Sequence, residues 1–139
     1  NFKGEREIKD DIEAIKLALK PGVTSGITET SHLRENEEKD YLNSGYGLYI
    51  VTELCKKLQG EFVIISKGAI ATKKKVHYLP NSLIFPGTAI KIKLKVPKNI
   101  QKEEFKRMLN EIITFGEGQS RSIKGAISVA STVSRGKIE

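Results

Sequence analysis

The fold is decided largely by residues 43–66, which read NSGYGLYIVTELCKKLQGEFVIIS. After the two glycines, apolar residues recur at three- and four-residue steps, as is typical of an amphipathic helix: Leu48, Val51, Leu54, Cys55 and Leu58. We therefore predict a helix over about 47–59 that ends at Gly60, because glycine suits the end of a helix. The apolar run Phe62–Ile65 follows at once and predicts a strand over residues 61–66.

The clearest strand comes later, at residues 88–96. Its apolar residues alternate strictly with lysines: Ile90, Ile92, Leu94 and Val96 against Lys91, Lys93 and Lys95. This period of two predicts one face in the core and a lysine row in water. A further strand and a loop are predicted over residues 69–85, and amphipathic helices over residues 5–20 and 100–115. Residues 116–139 are predicted to be a tail, or to contain a strand over 126–133.

The order of these elements predicts an α/β (α+β) fold, a two-layer sandwich. In it, a mixed, mostly antiparallel sheet is covered on one face by helices. The length of 139 residues suits one domain, and 38% hydrophobic residues exclude a chain disordered throughout.

Several features bear on where the protein acts. No apolar run approaches the roughly 18 residues that a membrane helix needs, so we expect no membrane span. The single cysteine, Cys55, cannot form an internal disulfide, and it lies on the apolar helix stripe as a core thiol would. With a polar amino terminus as well, we expect a cytoplasmic protein. Because the only methionine is Met108, we also expect that the chain is a fragment of a longer protein.

The net charge of +7 is unevenly distributed. Residues 1–60 carry 9 basic and 11 acidic side chains, whereas residues 61–139 carry 15 and 6. Basicity is thus a property of the second half, which includes Lys73–Lys75 and the lysine row of the last strand. One reading is a basic α/β module that binds nucleic acid or a partner protein through residues 67–98. The other is the solvated face of a sheet.

The glycine pair is the motif that points to chemistry. Residues 22–44 have no stable period, and a connection of this length is more often a lid or binding loop than an ordinary link. Gly45 and Gly47 then stand at the mouth of a helix, whose free N–H groups and dipole favour phosphate. The alternative is a flexible hinge before a helix.

Four segments together resemble the GHKL family of ATP-binding domains (gyrase, heat-shock chaperone, histidine kinase and MutL). They are Gly45–Val51, Leu58-Gln59-Gly60, a strand ending in Ser66, and Pro86–Ile90. Upstream, Ala18–Ser25 resembles the segment that leads into the ATP lid of that family. The resemblance covers about residues 12–96. It implies a histidine-kinase-like ATPase (Bergerat-type) fold, incomplete at the amino terminus.

The resemblance also implies a site and a cofactor, ATP with Mg²⁺. The phosphates would meet the backbone at Gly45, Tyr46, Gly47 and Leu48. Thr88 would lie near the adenine, Thr24 and Ser25 would lead into the lid, and residues 26–44 would form that lid. The Mg²⁺-binding Asn and the adenine-reading Asp of the family have no match here and would lie upstream of Asn1. An enzymatic activity therefore stays open, with ATP hydrolysis and histidine or protein phosphorylation as the candidates.

Two units are expected on this basis. Residues 1–97 would be the carboxy-terminal part of the ATP-binding domain. Residues 98–139, a helix with a Gly/Ser-rich tail, would be a segment that docks a second domain or a protein partner.

Overall fold

A computed structural model of the chain describes residues 8–24, 44–132 and 134–136. These residues form an α+β domain with three helices and a four-stranded antiparallel sheet. In chain order the elements are α1 (Asp11–Ala18), α2 (Gly47–Lys57), β1 (Glu61–Lys67), β2 (Ala69–Thr72), β3 (Val76–Tyr78), a short 3-10 helix (Pro80–Ser82), β4 (Phe85–Lys93) and α3 (Lys102–Ser120). The predicted lid, residues 26–44, lies outside the described residues apart from Ser44.

The helix and strand predicted from residues 43–66 are confirmed as α2 and β1. The two elements are joined by a tight turn in which Gly60 donates its N–H to the carbonyl of Cys55 at 2.7 Å. The turn folds β1 back under α2, so that Cys55 and Phe62 enter the same core cluster. Cys55 is buried, as expected of a core thiol.

The sheet has the order β3-β2-β1-β4, and every pairing in the described residues is antiparallel. Its register places Phe62 and Ile64 of β1 on one face together with Ala69 and Ala71 of β2. Ile15 of α1 and Cys55 of α2 complete this cluster, so both helices cover the same face. The expected arrangement of helices on one face of a largely antiparallel sheet is therefore confirmed.

The prediction that one face of the last strand lies in the core is wrong. Ile90, Ile92, Leu94 and Val96 are all exposed, and the regular strand is Phe85–Lys93 rather than 88–96. The reason is strand order, because β4 pairs only with β1 in the described sheet and α1 and α2 lie over β1 and β2. The apolar face of β4 thus points to the helix side, beyond the reach of the helices.

Helix α1 begins later than predicted, at Asp11. Asp10 is its N-cap and accepts the N–H of Glu13 at 2.8 Å through Oδ1. This cap and the hydroxyl of Tyr78, which donates to Asp10 Oδ2 at 3.1 Å, hold the pKa of the Asp10 carboxyl below its usual value. The link to Tyr78 also ties the start of α1 to the end of β3.

Helix α3 is longer than predicted and ends at Ser120. It includes Gly116 and Gly118, which the sequence places in the tail, and no strand forms in the described part of residues 126–133. Gly116 is buried against the ring of Tyr49, so packing retains a glycine that helix propensity disfavours.

A second core cluster joins α3 and the segment after it to α2. Its buried residues are Tyr46, Tyr49, Ile50, Ile112, Ile113 and Ala130. Helix α2 is therefore covered on two sides, by the sheet and by α3. Within the described residues, the segment after residue 98 packs on its own chain. Its predicted docking of a further domain or partner stays a prediction.

Candidate functional site

Gly45 is required by the fold. Its φ is +71°, and a Cβ atom built there would lie 2.4 Å from the carbonyl oxygen of Val23. Only glycine adopts this conformation readily, and only glycine lets the two backbones approach so closely. The contact brings the end of the segment 8–24, including the half-buried Thr24, beside the glycine pair. Ser25 lies outside the described residues.

Gly47 is different, because nothing in the described packing requires it. It is the first residue of α2, it is exposed, and a Cβ atom built there would meet nothing within 4 Å. Glycine is also the poorest residue for a helix apart from proline. A glycine that neither the backbone nor the packing needs leaves open space directly over the first turn of α2.

The start of α2 also lacks a conventional cap. Tyr46 is the N-cap residue, and its side chain makes no hydrogen bond to the helix. The first N–H groups of a helix have no partner within the helix, and they carry a partial positive charge. An exposed, side-chain-free first turn is therefore suited to receive the oxygens of an anion.

The side chain of Tyr46 points away from this opening. It is fully buried, and its hydroxyl donates to Ser120 Oγ at 2.9 Å or to the carbonyl of Ile127 at 3.0 Å. Its ring meets that of Tyr49 edge-on, with centroids 6.3 Å apart. Tyr46 is one of the predicted site residues, and only its backbone is available to a ligand. The phenol anchors the glycine segment to α3.

Further contacts tie the glycine segment to the end of the chain. Ser44 Oγ accepts the N–H of Ser131 at 3.2 Å. Glu117 of α3 accepts the N–H of Ala130 at 2.9 Å and pairs with Arg135. These contacts fix the loop after α3 against the start of α2, a relation that the Gly/Ser-rich composition of residues 116–139 did not reveal.

A cavity of about 270 Å³ opens between α1, the first turn of α2 and the sheet. Leu48 and Thr88, which are 40 positions apart in sequence, both line it. Most of its wall is apolar, and the lining residues are Asp11, Ala14, Ile15, Ala18, Leu19, Leu48, Ile64, Ser66, Lys67, Thr88 and Ile90. Two of the predicted site residues therefore share one cavity, and the residue before Leu48 is the open Gly47.

The polar groups of the cavity come from the sheet and from the first turn of α1. Ser66 Oγ and Thr88 Oγ1 lie 3.0 Å apart on neighbouring strands. Asp11 Oδ2 accepts the N–H of Gly68 at 3.0 Å, so the carboxylate is held at the turn between β1 and β2. Sequence reasoning missed Asp11 and Lys67. The acidic first turn of α1 indicates the start of a helix, but the position of Asp11 over the turn between β1 and β2 depends on tertiary packing.

The other chemically reactive side chains in the described part of the chain form no second site. Cys55 is buried, and burial raises the pKa of its thiol, which disfavours the thiolate. His77 Nδ1 lies 2.9 Å from the carbonyl oxygen of Tyr78. In the described ranges, no group of three His, Cys, Asp or Glu side chains could hold a metal ion. Among the residues that the structure describes, no helix is long and apolar enough to cross a membrane.

Comparisons with protein-family models, with curated proteins and with solved structures give no match to this chain.

Proposed function

We propose that the chain is an ATP-binding module of the histidine-kinase-like ATPase (GHKL) type. In this proposal the triphosphate binds at the first turn of α2, at Gly45–Leu48, and the adenine enters the neighbouring cavity. The observation that carries it is the pairing of two features. Gly47 has no packing role, and the residue next to it lines a cavity together with Thr88.

The open first turn of α2 supports the phosphate-binding part of the proposal. Backbone N–H groups and the helix dipole favour a negative charge there, and Gly47 permits close approach. Tyr46 contributes by anchoring this turn through its buried hydroxyl, so the N–H groups need no rearrangement to meet a ligand.

The size and lining of the cavity support the adenine-binding part of the proposal. Small-molecule sites measure roughly 300–1,000 Å³, so a cavity of about 270 Å³ suits a planar base better than a complete nucleotide. Ile15 and Ile64 offer apolar surface to the ring faces, while the hydroxyl of Thr88 can hydrogen-bond to a purine edge.

The remaining parts of the proposal come from the resemblance alone. It assigns the Mg²⁺ ligand and the adenine-reading carboxylate to a segment upstream of Asn1, so we propose no metal ligand in this chain. When bound, Mg²⁺ would neutralise charge on the triphosphate. Hydrolysis of ATP and phosphoryl transfer are both compatible with a module of this kind.

The proposal is tested by titrating Mg-ATP into the full-length protein, both as wild type and as Gly47→Val, because the proposal places the Mg²⁺ ligand and the adenine-reading carboxylate upstream of Asn1. The valine side chain enters open space in the protein but obstructs the first turn of α2, so affinity should fall while the fold is kept. Loss of one hydrogen bond to a charged group costs about 1.5–3 kcal/mol, or roughly a ten- to hundredfold rise in Kd.

The matched control is Gly118→Val. Gly118 is an exposed helical glycine whose added Cβ would also meet nothing within 4 Å, but it lies on α3. It should bind Mg-ATP like the wild type. Equal affinity of Gly47→Val and the wild type would overturn the site. Absence of any binding at millimolar Mg-ATP would overturn the function.

A further inference from the structure

Residues 126–132, here called the post-helix segment, contact both stretches of chain that meet at the glycine pair. On the amino-terminal side, Ile127 donates its N–H to the carbonyl of Gly22 at 2.8 Å. The approach is close, since Gly22 has a φ of +77° and a Cβ atom built there would collide with the carbonyl oxygen of Ile127. On the other side, Ser131 donates its N–H to Ser44 Oγ at 3.2 Å. One short segment therefore bridges two parts of the chain that are far apart in sequence.

The post-helix segment also supports the residue just before the first turn of α2. The hydroxyl of Tyr46 lies 3.0 Å from the carbonyl oxygen of Ile127, and Ala130 packs in the same core cluster as Tyr46. Tyr46 and Ala130 are 0% and 4% exposed, so water is excluded from these contacts. The backbone at the start of α2 is thus held from its buried side by the post-helix segment.

Two charged side chains keep the post-helix segment in place. Glu117 of α3 accepts the N–H of Ala130 at 2.9 Å and pairs with Arg135, which follows the segment. The side chains of Glu117 and Arg135 are 16% and 30% exposed, so solvent screens this pair only in part. Another pair on the same helix, Glu103 with Lys106, has side chains that are 80% and 55% exposed. Of these two pairs, only the first acts on the segment beside the candidate site.

Direct electrostatic roles for the first pair predict an effect of opposite sign. A carboxylate near a triphosphate repels it, so removal of the Glu117 charge would strengthen binding. If Arg135 met the phosphates itself, loss of its partner carboxylate would again strengthen binding. A role in holding the post-helix segment predicts the reverse, because loss of the charge would then weaken binding. The sign of one measurement therefore separates these roles.

We propose that Glu117 and Arg135 are positioning residues for the nucleotide. Their ion pair holds the post-helix segment against Ser44 and Tyr46, and this contact keeps the first turn of α2 in the geometry that receives phosphate. When the pair is lost, the competent geometry is populated less and the apparent affinity falls in proportion. The coupling is reciprocal, so bound nucleotide in turn holds the segment in place. The inference rests on the proposed function, because it concerns the same phosphate site.

The test measures the Kd of Mg-ATP for the full-length protein, as wild type and as Glu117→Gln. The glutamine keeps an oxygen that can accept the N–H of Ala130, but it removes the charge that pairs with Arg135. We expect Kd to rise about fivefold or more, which is the lower end of typical coupling between sites. In the wild type, Mg-ATP should also slow amide exchange at Ile127 and Ala130, a change that a purely structural role of the pair would not give.

Three further variants serve as controls. Glu103→Gln removes the same charge from the same helix at the exposed pair, and it should bind Mg-ATP like the wild type. Arg135→Gln should raise Kd as Glu117→Gln does, and the double variant should add little, because both changes remove one interaction. Arg135→Lys keeps the positive charge and should retain most of the wild-type affinity. Thermal unfolding of each variant ensures that Kd is measured on folded protein.

Four results would overturn the inference and leave the proposed function intact. They are an equal or lower Kd for Glu117→Gln than for the wild type, equal effects of Glu117→Gln and Glu103→Gln, equal losses in Arg135→Lys and Arg135→Gln, and amide exchange at Ile127 and Ala130 that Mg-ATP leaves unchanged. The exchange measurement decides the question even if the variants fail to fold. Absence of Mg-ATP binding by the wild type would instead overturn the proposed function, and the inference would fall with it.

Discussion

Two glycines of α3 provide a sharp test of how α3 packs on α2. A Cβ atom at Gly116 would lie 2.5 Å from Cε1 of Tyr49 and 3.2 Å from Cβ of Pro21. Ordinary carbon contacts are about 3.5–4.0 Å, so the ring would have to move by about 1 Å. That ring is buried, and its hydroxyl donates to the carbonyl of Ile112 at 3.1 Å. Alanine at Gly116 should therefore push α2 and α3 apart.

The magnitude follows from comparison with Gly118→Ala on the same helix, where the new Cβ meets nothing within 4 Å. Replacing a helical glycine by alanine stabilises by about 0.8–1 kcal/mol, and Gly118→Ala should show this gain. Gly116→Ala has the same gain but adds an overpacking cost of about 1–3 kcal/mol. The two variants should thus differ by about 1–3 kcal/mol in the free energy of unfolding.

Urea unfolding measures this difference, and thermal unfolding should show it as a shift of about 3 °C in Tm for each kcal/mol. Equal stabilisation by the two substitutions would refute the packing of Gly116 on Tyr49, and with it the tight docking of α3 on α2. A similar loss in both variants would show that helix propensity does not act at Gly118, which would remove the basis of the comparison.

Two more predictions concern the elements around the candidate site. Gly45→Ala should destabilise the chain by more than about 2 kcal/mol in urea unfolding, because a left-handed alanine costs about 1–2 kcal/mol and its Cβ also meets the carbonyl of Val23; a stability equal to that of Gly47→Ala would contradict the assignment. Burial raises the pKa of Tyr49 to about 12, so the unfolded chain loses this proton first and stability should fall as pH rises from 10 towards 12, by up to about 1.4 kcal/mol per pH unit. Tyr49→Phe should lack this component of the pH dependence, and an unchanged alkaline slope would exclude it.

Local pattern was sufficient to predict α2 and β1. The apolar stripe from Leu48 to Leu58 and the apolar run Phe62–Ile65 are properties of neighbouring residues. The stripe corresponds to α2 and the run to β1. Strand order was not a local property, so the sequence could not reveal that β4 lies beyond the helices with Ile90 and Ile92 exposed. The predicted end of α3 is too early, because Gly116 and Gly118 signal a break in the sequence. The packing of Gly116 on Tyr49 retains the helix beyond that point.

The sequence predicted only part of the geometry around the candidate site, and binding at that site stays a prediction. Leu48 and Thr88 come together in one cavity, but the motif itself could not separate the roles of its glycines. Gly45 serves the close approach to Val23, and Gly47 has no such duty. The prediction for Tyr46 concerned its backbone, and the motif did not reveal that its side chain anchors the segment to Ser120 because α2 is covered on two sides. Asp11 enters the cavity only through the tertiary position of α1.

The central claim is that a nucleotide binds with its phosphates at the first turn of α2. It is tested most directly by recording amide resonances of the chain while Mg-ATP is added, a measurement that also detects weak binding at individual residues. The account predicts saturable shifts at Gly45–Leu48 and at Thr88. When adenosine replaces ATP, the shifts at Gly45–Leu48 should be much smaller. Shifts confined to Lys73–Lys75 and to the lysines of β4, or no shifts at all, would contradict it.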